Sequence, residues 1–329
     1  MQYPEAQNVL TGHAAITQNM GIKKSIGKTL TKELSRAVKN SVDKSVIKKL
    51  ALPLNIGFAG SVAVGSVLTL SAYERRTLEY ARYDIDGGGK AADNVRLVFL
   101  SDLHEREFGK DNSRLLEMIY KADPDAVLIG GDMIIADKNH PENIRTGVTR
   151  RLCAELVKKY PVFYSEGNHE QRLPDDSFIE SLRKTGVRYL RDETVNWKYN
   201  ISITGLNLEK GQYLPVIPQN PDPEKMLSKV GSPDTKRFNI LMPHSPLFLK
   251  SYASMHADLV LSGHFHGGTI RLPGDVGLMT PQYQFFNTNV VGLKRFDRTF
   301  MIISSGLGTH SINLRINNKP QVVVVDIKK

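Results

Sequence analysis

The run from Val95 to His104, VRLVFLSDLH, constrains the fold of this chain more than any other stretch. Its apolar part is rich in β-branched and aromatic residues and contains no glycine or proline, which predicts a buried strand. Side chains two apart on a strand share a face, so Asp102 and His104 are expected to project together at its C-terminal end. A carboxylate and an imidazole in that arrangement are able to bind one metal ion. The alternative is a capping aspartate beside a surface histidine. The metal site is favoured only if the rest of the chain supplies further ligands.

Two more apolar runs of the same kind follow. AVLIGGD ends at Asp132, PVFYSEGNHE contains Asn168 and His169, and each run predicts a buried strand. One helix is predicted between the first two strands, and another from about 143 to 159 before the third. This alternation is typical of a mostly parallel sheet with helices on both faces. In such sheets the functional residues gather beyond the C-terminal ends of the strands.

The second half of the core continues with shorter elements. A helix at 176–185 precedes short strands, an irregular insertion at 207–236 and the apolar runs FNILMPHSP and DLVLSGHFHGG. These last two runs predict buried strands that also end on histidines. The residues expected at the strand ends are Asp102, His104, Asp132, Asn168, His169, His244, His264 and His266.

This set predicts a centre for two divalent metal ions. Asp132 is alone on its strand and is expected to bridge the ions through its two oxygens. Mixed imidazole and oxygen ligands suit Mn, Fe, Zn or Ni. The other predicted ligands are Asp102, His104 and His266 in one half-site, and Asn168, His244 and His264 in the other.

Two ions of this kind hold a bridging hydroxide at neutral pH and bind the oxygens of a phosphoryl group during in-line displacement. The chemistry expected is therefore hydrolysis of a phosphate ester by that hydroxide. His169 is predicted to be the catalytic residue that donates a proton to the leaving oxygen. Its alternative role is to hydrogen-bond the phosphate without transferring a proton.

The positive charge of the chain is concentrated at its beginning. Residues 1–49 carry nine Lys and Arg against three acidic residues, a net charge of +6 out of +10 for the whole chain. Apolar residues recur from Ile22 to Leu50 with Lys and Arg between them, which predicts a basic amphipathic helix for an anionic membrane surface or for a partner. The core is nearly balanced in charge, so a nucleic-acid partner is not expected.

An uncharged run follows from Leu50 to Tyr73. Its 24 residues are enough to cross a bilayer, which takes about 20, and a single transmembrane anchor is predicted. A buried helix or hairpin and a cleaved signal peptide are the alternatives. Lys and Arg are denser before the run than after it, which favours a catalytic domain on the extracytoplasmic side.

The motifs together resemble those of the calcineurin-like metallophosphoesterase superfamily. They are Asp102-Leu103-His104, Gly131-Asp132, Gly167-Asn168-His169-Glu170, His244 and Gly263-His264-Phe265-His266. The resemblance covers residues 95–328 and leaves no ligand position empty. It implies an α/β fold of two facing mixed β-sheets flanked by helices, with the metal roles given above.

Longer phrases resemble a bacterial, membrane-linked phosphodiesterase branch of that superfamily. They are FGKDNSRLLEMI, GHFHGGTIRLPG and the C-terminal SSGLGTHSINLRINNKPQVVVVDI. The resemblance implies phospholipid-like or UDP-diacylglucosamine substrates. Thr269 departs from it, because glutamine is expected there, and so does the long basic arm, and both departures leave the substrate open.

We therefore expect a metal-dependent phosphodiesterase or pyrophosphatase whose substrate is a phosphate ester, including lipid-linked forms, near a membrane contacted by residues 22–73. The predicted domains are a basic arm at 1–49, an anchor at 50–73, a linker at 74–94 and the catalytic domain at 95–329. One alternative is a soluble cytoplasmic phosphoesterase acting on nucleotides or phosphoproteins. The other is a membrane-associated binding protein in which the metals are structural.

Overall fold

The computed structural model describes residues 58–137, 139–309 and 312–329. The chain divides into two compact units, Met1–Ala72 and Tyr73–Lys329. The predicted basic arm and residues 50–57 of the predicted anchor lie outside the described residues.

Six α-helices are described: α1 (Phe58–Glu74), α2 (Ser113–Ala122), α3 (Gly147–Leu156), α4 (Ser177–Thr185), α5 (Pro223–Val230) and α6 (Leu249–Ser254). The first eight strands are β1 (Glu79–Asp86), β2 (Val95–Leu100), β3 (Ala126–Ile129), β4 (Val162–Ser165), β5 (Arg188–Leu190), β6 (Glu193–Asn196), β7 (Ile201–Leu206) and β8 (Phe238–Pro243). The others are β9 (Leu259–Ser262), β10 (Arg271–Leu272), β11 (Val276–Met279), β12 (Phe285–Asn287), β13 (Gly292–Phe296), β14 (Thr299–Ile303) and β15 (Gln321–Lys328).

Two six-stranded mixed sheets form the centre of the fold. The first has the order β1-β15-β2-β3-β4-β5 and is parallel except between β15 and β2. The second has the order β13-β14-β9-β8-β7-β6, with antiparallel pairs only at its two edges. The predicted mostly parallel sheet from 95 to 170 is confirmed as β2, β3 and β4.

Three apolar clusters show that the sheets and helices form layers. Leu97 and Phe99 of β2 point toward the second sheet and pack with Ile203 and Ile240 in a cluster drawn from both sheets. Alternate residues of the first sheet pack instead on α2, α3 and α4, and the outer face of the second sheet packs on α5 and α6. The predicted fold of two facing mixed sheets flanked by helices is therefore confirmed.

The helices follow from the spacing of their apolar residues. In α2, Leu115, Leu116 and Ile119 recur at helical spacing, are buried and face the first sheet. Asp123 follows the last residue of α2 and adopts a left-handed conformation, and Gly186 does the same after α4, so both residues end their helices.

Three parts of the structure were not predicted from the sequence. The segment at 74–94, expected to be a linker, contains β1, which pairs in parallel with β15 at the edge of the first sheet. The insertion at 207–236, expected to be irregular, contains α5. Residues 271–287 form a small antiparallel sheet of β10, β11 and β12. The limits of the predicted domains stay a prediction.

The apolar run at 50–73 is described only from residue 58, as most of the 17-residue helix α1. Within the described part of the chain, no helix combines the length and the apolar character that crossing a membrane requires. The described residues therefore do not support the prediction of a single transmembrane span.

Candidate metal centre

Three overlapping groups of acidic and imidazole side chains converge at the C-terminal ends of the central strands. The seven residues of these groups come from five loops, and the ligand atoms of each group lie within 4.8 Å of one another. The groups are Asp102, His104 and His266; His104, Asp132 and His169; and Asp132, His244 and His264. All members are buried.

The loops after the strands turn sharply to bring these residues together. β2 ends at Leu100, so Asp102 and His104 lie beyond the strand and do not share a face through strand alternation. Both adopt positive φ values, 53° and 46°, and Asp132, at 51°, does the same. Such values are uncommon outside glycine and cluster at functional sites. The predicted convergence is confirmed, but the turns produce it.

Glycines allow the loops to approach closely. A Cβ atom on Gly131 would collide with the backbone of Gly167, and one on Gly263 would collide with the carboxylate of Asp102. Gly131 also has a φ of +84°. The glycines of the GD, GNHE and GHFH motifs are therefore required by close contact between neighbouring loops.

The carboxylate of Asp132 lies at the centre of the cluster. Its Oδ2 is 3.1 Å from Nε2 of His244. Its Oδ1 accepts a hydrogen bond from the backbone N–H of His169 at 2.7 Å. Asp102 is also close to the same imidazole, with its Oδ1 at 3.7 Å from Nε2 of His244. The two carboxylates thus face each other across a shared histidine.

Three of the imidazoles have one ring nitrogen directed at an oxygen outside the cluster. Nδ1 of His244 is 2.7 Å from the carbonyl oxygen of Gly130. Nδ1 of His266 is 3.2 Å from that of Gly308, and Nε2 of His264 is 3.2 Å from Oε1 of Gln282. An oxygen acceptor draws the proton of a neutral imidazole to the nitrogen beside it, so in the neutral ring the other nitrogen presents its lone pair to the cluster.

The side-chain amide of Asn168 lies between the cluster and a cation. One end is 3.2 Å from Oδ2 of Asp132 and 3.1 Å from Nδ1 of His264, and the other end is 3.0 Å from Nη2 of Arg172. The inner end therefore faces two acceptor atoms. Either the amide nitrogen turns inward to donate to them, or the oxygen turns inward and the three acceptors surround a cation.

His169 is oriented by the backbone. The N–H of Ala136 donates to its Nδ1 at 3.1 Å, which leaves the proton of the neutral ring on Nε2. Its ring meets that of His104 edge-on, with centroids 4.8 Å apart.

The charges in the cluster are strongly coupled. Burial raises the pKa of Asp102 to about 6, although His244 opposes this rise. Burial also favours the neutral form of Asp132, but His244 and His169 outweigh it and hold the pKa of Asp132 well below its usual range. Burial lowers the pKa of His244, but Asp132 and Asp102 outweigh burial and raise it to about 10. The carboxylates therefore favour positive charge between them, which a proton or a cation can supply.

Glu170 fixes the loop that carries the cluster. Its carboxylate accepts hydrogen bonds from the backbone N–H groups of Asp132, Met133 and Gly167 and from the hydroxyl of Tyr164. Burial and then the charge of Asp132 raise the pKa of Glu170 to about 7, and the hydrogen bonds from Tyr164 and from the backbone N–H of Asp132 oppose the rise. The four donors hold two of the ligand-bearing loops together.

The structure brings together every predicted site residue, and it adds neighbours that the sequence did not indicate. Gln282 contacts His264, and the ring of Tyr213 meets that of His264 edge-on with centroids 5.1 Å apart. No periodicity or motif marks either residue. Arg172 follows His169 by three positions in a short 3₁₀ turn, and that spacing is the one signal that could have found it.

Comparisons with known proteins agree with this geometry. A family model described as calcineurin-like phosphoesterase matches residues 95–268. An uncharacterized metallophosphoesterase of Aquifex aeolicus is 30% identical over 237 residues, which cover 71% of this chain and 85% of that protein. Phosphodiesterase YaeI of Escherichia coli is 24% identical over 70% of this chain and 82% of its own length.

A third relative is longer than this chain. A Danio rerio transmembrane protein with metallophosphoesterase domain is 25% identical over 73% of this chain and 54% of its own length. The family match spans more than half of the chain and includes all five motifs from Asp102 to His266. The chain belongs to the calcineurin-like phosphoesterases and is a metallophosphoesterase.

Proposed function

We propose that this protein hydrolyses a phosphodiester or pyrophosphate bond at a centre for two divalent metal ions. The observation that carries the proposal is the orientation of His244, His264 and His266. Each directs one ring nitrogen at an oxygen and the other into the cluster. Histidines that bind metals almost always donate their second ring N–H in this way, which fixes the ring.

The ligand roles divide the cluster into two halves. Asp132 would serve both ions, and the inner amide oxygen of Asn168 would be a ligand of the second, which accounts for its approach to two acceptor atoms. The imidazole and oxygen donors fit Mn, Fe, Zn or Ni. When bound, such ions polarise the phosphoryl group and lower the pKa of water. The proposed ligands are Asp102, His104 and His266 for the first ion, and Asn168, His244 and His264 for the second.

His169 is the proposed catalytic residue. Because Ala136 donates to its Nδ1, the neutral ring holds its proton on Nε2, where it is available to a leaving oxygen. Arg172 Nη1 lies 3.4 Å from that Nε2 and adds positive charge beside it, which suits an anionic substrate.

An apolar pocket beside the centre supports a substrate with an apolar substituent, including a lipid-linked one. The walls of the pocket include His266, Met279, Ile312 and Leu314. Because His266 is shared by the pocket and the metal cluster, a phosphate at the metals would place its substituent against these apolar side chains. Nucleotides and phosphoproteins are the competing substrate classes.

Hydrolysis of bis(p-nitrophenyl) phosphate with Mn²⁺ by the full-length chain tests the activity. We expect Asp132→Asn and His104→Ala to lose at least about 100-fold in kcat/KM, because each removes a ligand. His140→Ala is the matched control, since His140 is exposed and pairs with Glu142 outside the cluster. Turnover that is equal in all four proteins would refute the proposal.

Two further measurements separate the competing functions. A panel of nucleotide, phosphopeptide and lipid-linked phosphodiesters ranks the substrate classes by kcat/KM. His169→Ala distinguishes catalysis from binding with structural metals. The catalytic role predicts that metal binding persists while turnover falls by about 10²–10⁴-fold.

Association with a membrane is proposed on the apolar side chains of α1. Val64, Val67, Leu70 and Tyr73 are all exposed. The Danio rerio relative is named as a transmembrane protein. Sedimentation of the full-length chain with phosphatidylglycerol vesicles, before and after a carbonate wash, measures this association. A chain that stays in the supernatant in both conditions does not bind these membranes.

A further inference from the structure

One buried glutamine connects a proposed metal ligand with a distant loop. Gln282 lies in the turn between β11 and β12 and is 2% exposed. Its Oε1 is 3.2 Å from Nε2 of His264. Its Nε2 donates to the carbonyl oxygens of Gln212 at 3.2 Å and Leu214 at 2.8 Å. The backbone carbonyl of Gln282 accepts from the N–H of Val216 at 2.7 Å.

The orientation of this amide is fixed by its partners. Carbonyl oxygens only accept hydrogen bonds, so the Nε2 group of Gln282 must face Gln212 and Leu214. Its Oε1 then necessarily faces His264, where it can only accept. His264 therefore carries its ring proton on Nε2 and presents the lone pair of Nδ1 to the metal cluster. The corresponding partners of His244 and His266 are backbone carbonyls, so Gln282 is the partner that a substitution can remove.

The same glutamine holds Tyr213 in place. Tyr213 lies between the two residues whose carbonyls Gln282 binds. Its ring lies edge-on to His264, with centroids 5.1 Å apart, and 6.3 Å from His244. The loop at 212–216 thus covers two proposed ligands of the second ion, and the hydrogen bonds from Gln282 hold that loop in place.

We infer that Gln282 is a positioning residue for the second metal ion and for the loop that covers it. Its oxygen sets the tautomer and rotation of His264, and its nitrogen fastens residues 212–216. The inference rests on the proposed function, because it assigns the ion bound by Asn168, His244 and His264. It predicts that the two ends of one amide control two different properties.

Three variants of the full-length chain separate these properties. Gln282→Leu removes the acceptor and the donor, whereas Gln282→Glu keeps an acceptor for His264 and removes both donations to the loop. Gln284→Leu is the matched control in the same turn, because the side chain of Gln284 accepts from Asn287 instead. Each protein is stripped with a chelator and titrated calorimetrically with Mn²⁺, and amide hydrogen exchange is measured over 212–217.

We expect Gln284→Leu to bind two Mn²⁺ ions, each with the same affinity as in the wild type. Gln282→Leu should lower the affinity for one Mn²⁺ ion by about 10–100-fold and leave the affinity for the other unchanged. Loss of the hydrogen-bond partner of a metal ligand has an effect of this size. Gln282→Glu should bind both ions at least as tightly as the wild type. Exchange over 212–217 should accelerate in both Gln282 variants and not in the control.

Four outcomes would overturn the inference. Wild-type affinities for both ions in Gln282→Leu would contradict it, as would equal weakening in Gln284→Leu or unchanged exchange in both Gln282 variants. If Gln282→Leu does not fold, a folded Gln282→Glu that loses one ion is the contradicting result. A wild type that binds fewer than two ions overturns the two-metal centre itself, which distinguishes that failure from the failure of Gln282 alone.

Discussion

The Nε2 atoms of His104 and His266 lie 3.3 Å apart, although 162 positions separate the two residues in the sequence. Two imidazole nitrogens that bind one ion at about 2.0–2.1 Å with a tetrahedral angle lie roughly 3.4 Å from each other. The two ring planes are inclined by 26°, with centroids 5.0 Å apart. The pair is therefore already spaced as two ligands of one ion.

This spacing predicts that metal stabilises the fold. Mn²⁺ at 100 times its Kd should raise the free energy of unfolding by about 2.7 kcal/mol for each ion bound. His104→Ala should lose the stabilisation that the first ion provides, and His140→Ala should keep the stabilisation from both ions. Thermal unfolding with and without Mn²⁺ measures the effect. Equal stabilisation of His104→Ala and the wild type would contradict the assignment of His104.

Gly131→Ala should destabilise the protein by about 3 kcal/mol or more, because a methyl group would collide with the backbone of Gly167 in addition to the strain of a positive φ. Gly274→Ala is the matched control, since its φ of +81° is nearly that of Gly131 and a Cβ atom there meets open space. Denaturant unfolding compares the two. Similar losses in both variants would show that strain, and not close contact, requires the glycine.

Glu170→Gln should cost about 1.5–3 kcal/mol, because an amide replaces a carboxylate that accepts from three backbone N–H groups and a hydroxyl. Glu180→Gln, on the exposed face of α4, is its control. Urea unfolding in the absence of metal measures the difference without interference from bound ions. An unchanged midpoint for Glu170→Gln would mean that the loop does not depend on this carboxylate.

Cys153 should be unreactive in the folded protein. Burial raises the pKa of its thiol to about 12, so the thiol stays protonated at pH 8 and its thiolate is scarcely populated until the pH approaches that value. Iodoacetamide at pH 8 should therefore modify the protein in urea and leave the native protein unmodified, as mass spectrometry can show. Because the folded pKa lies above that of the unfolded chain, ionisation of Cys153 destabilises the fold only as the pH rises above the unfolded value.

The core and the site could be predicted because their signals are local. Each strand that carries a ligand is an apolar run of four to six residues, and its motif follows within a few positions, as Asp102 follows β2. Every residue of β3 and β4 is buried, as expected for strands inside a sheet that is covered on both faces. The resemblance of the motifs then supplied the second sheet.

The remaining structure depends on contacts between distant residues. β1 reads EYARYDID, a half-polar edge strand whose only signal is its pairing with β15, more than two hundred residues later. The small sheet of β10, β11 and β12 has short strands without alternation. Gln282 gains its role from His264 and from a loop 70 positions away, which no local pattern records. Polar contacts between distant loops are thus the part of the structure that could not be predicted from the sequence.

The position of β15 between β1 and β2 has a consequence for synthesis on the ribosome. Arg96 of β2 pairs with Asp326 of β15, with its Nε 2.7 Å from Oδ1, and 230 residues separate them. A growing chain therefore exposes one edge of β2 until β15 has left the exit tunnel, and such edges invite pairing with other chains. A premature stop codon between His266 and Gln321 would leave every proposed ligand translated but one edge of β2 unpaired, so such partial products carry an aggregation risk.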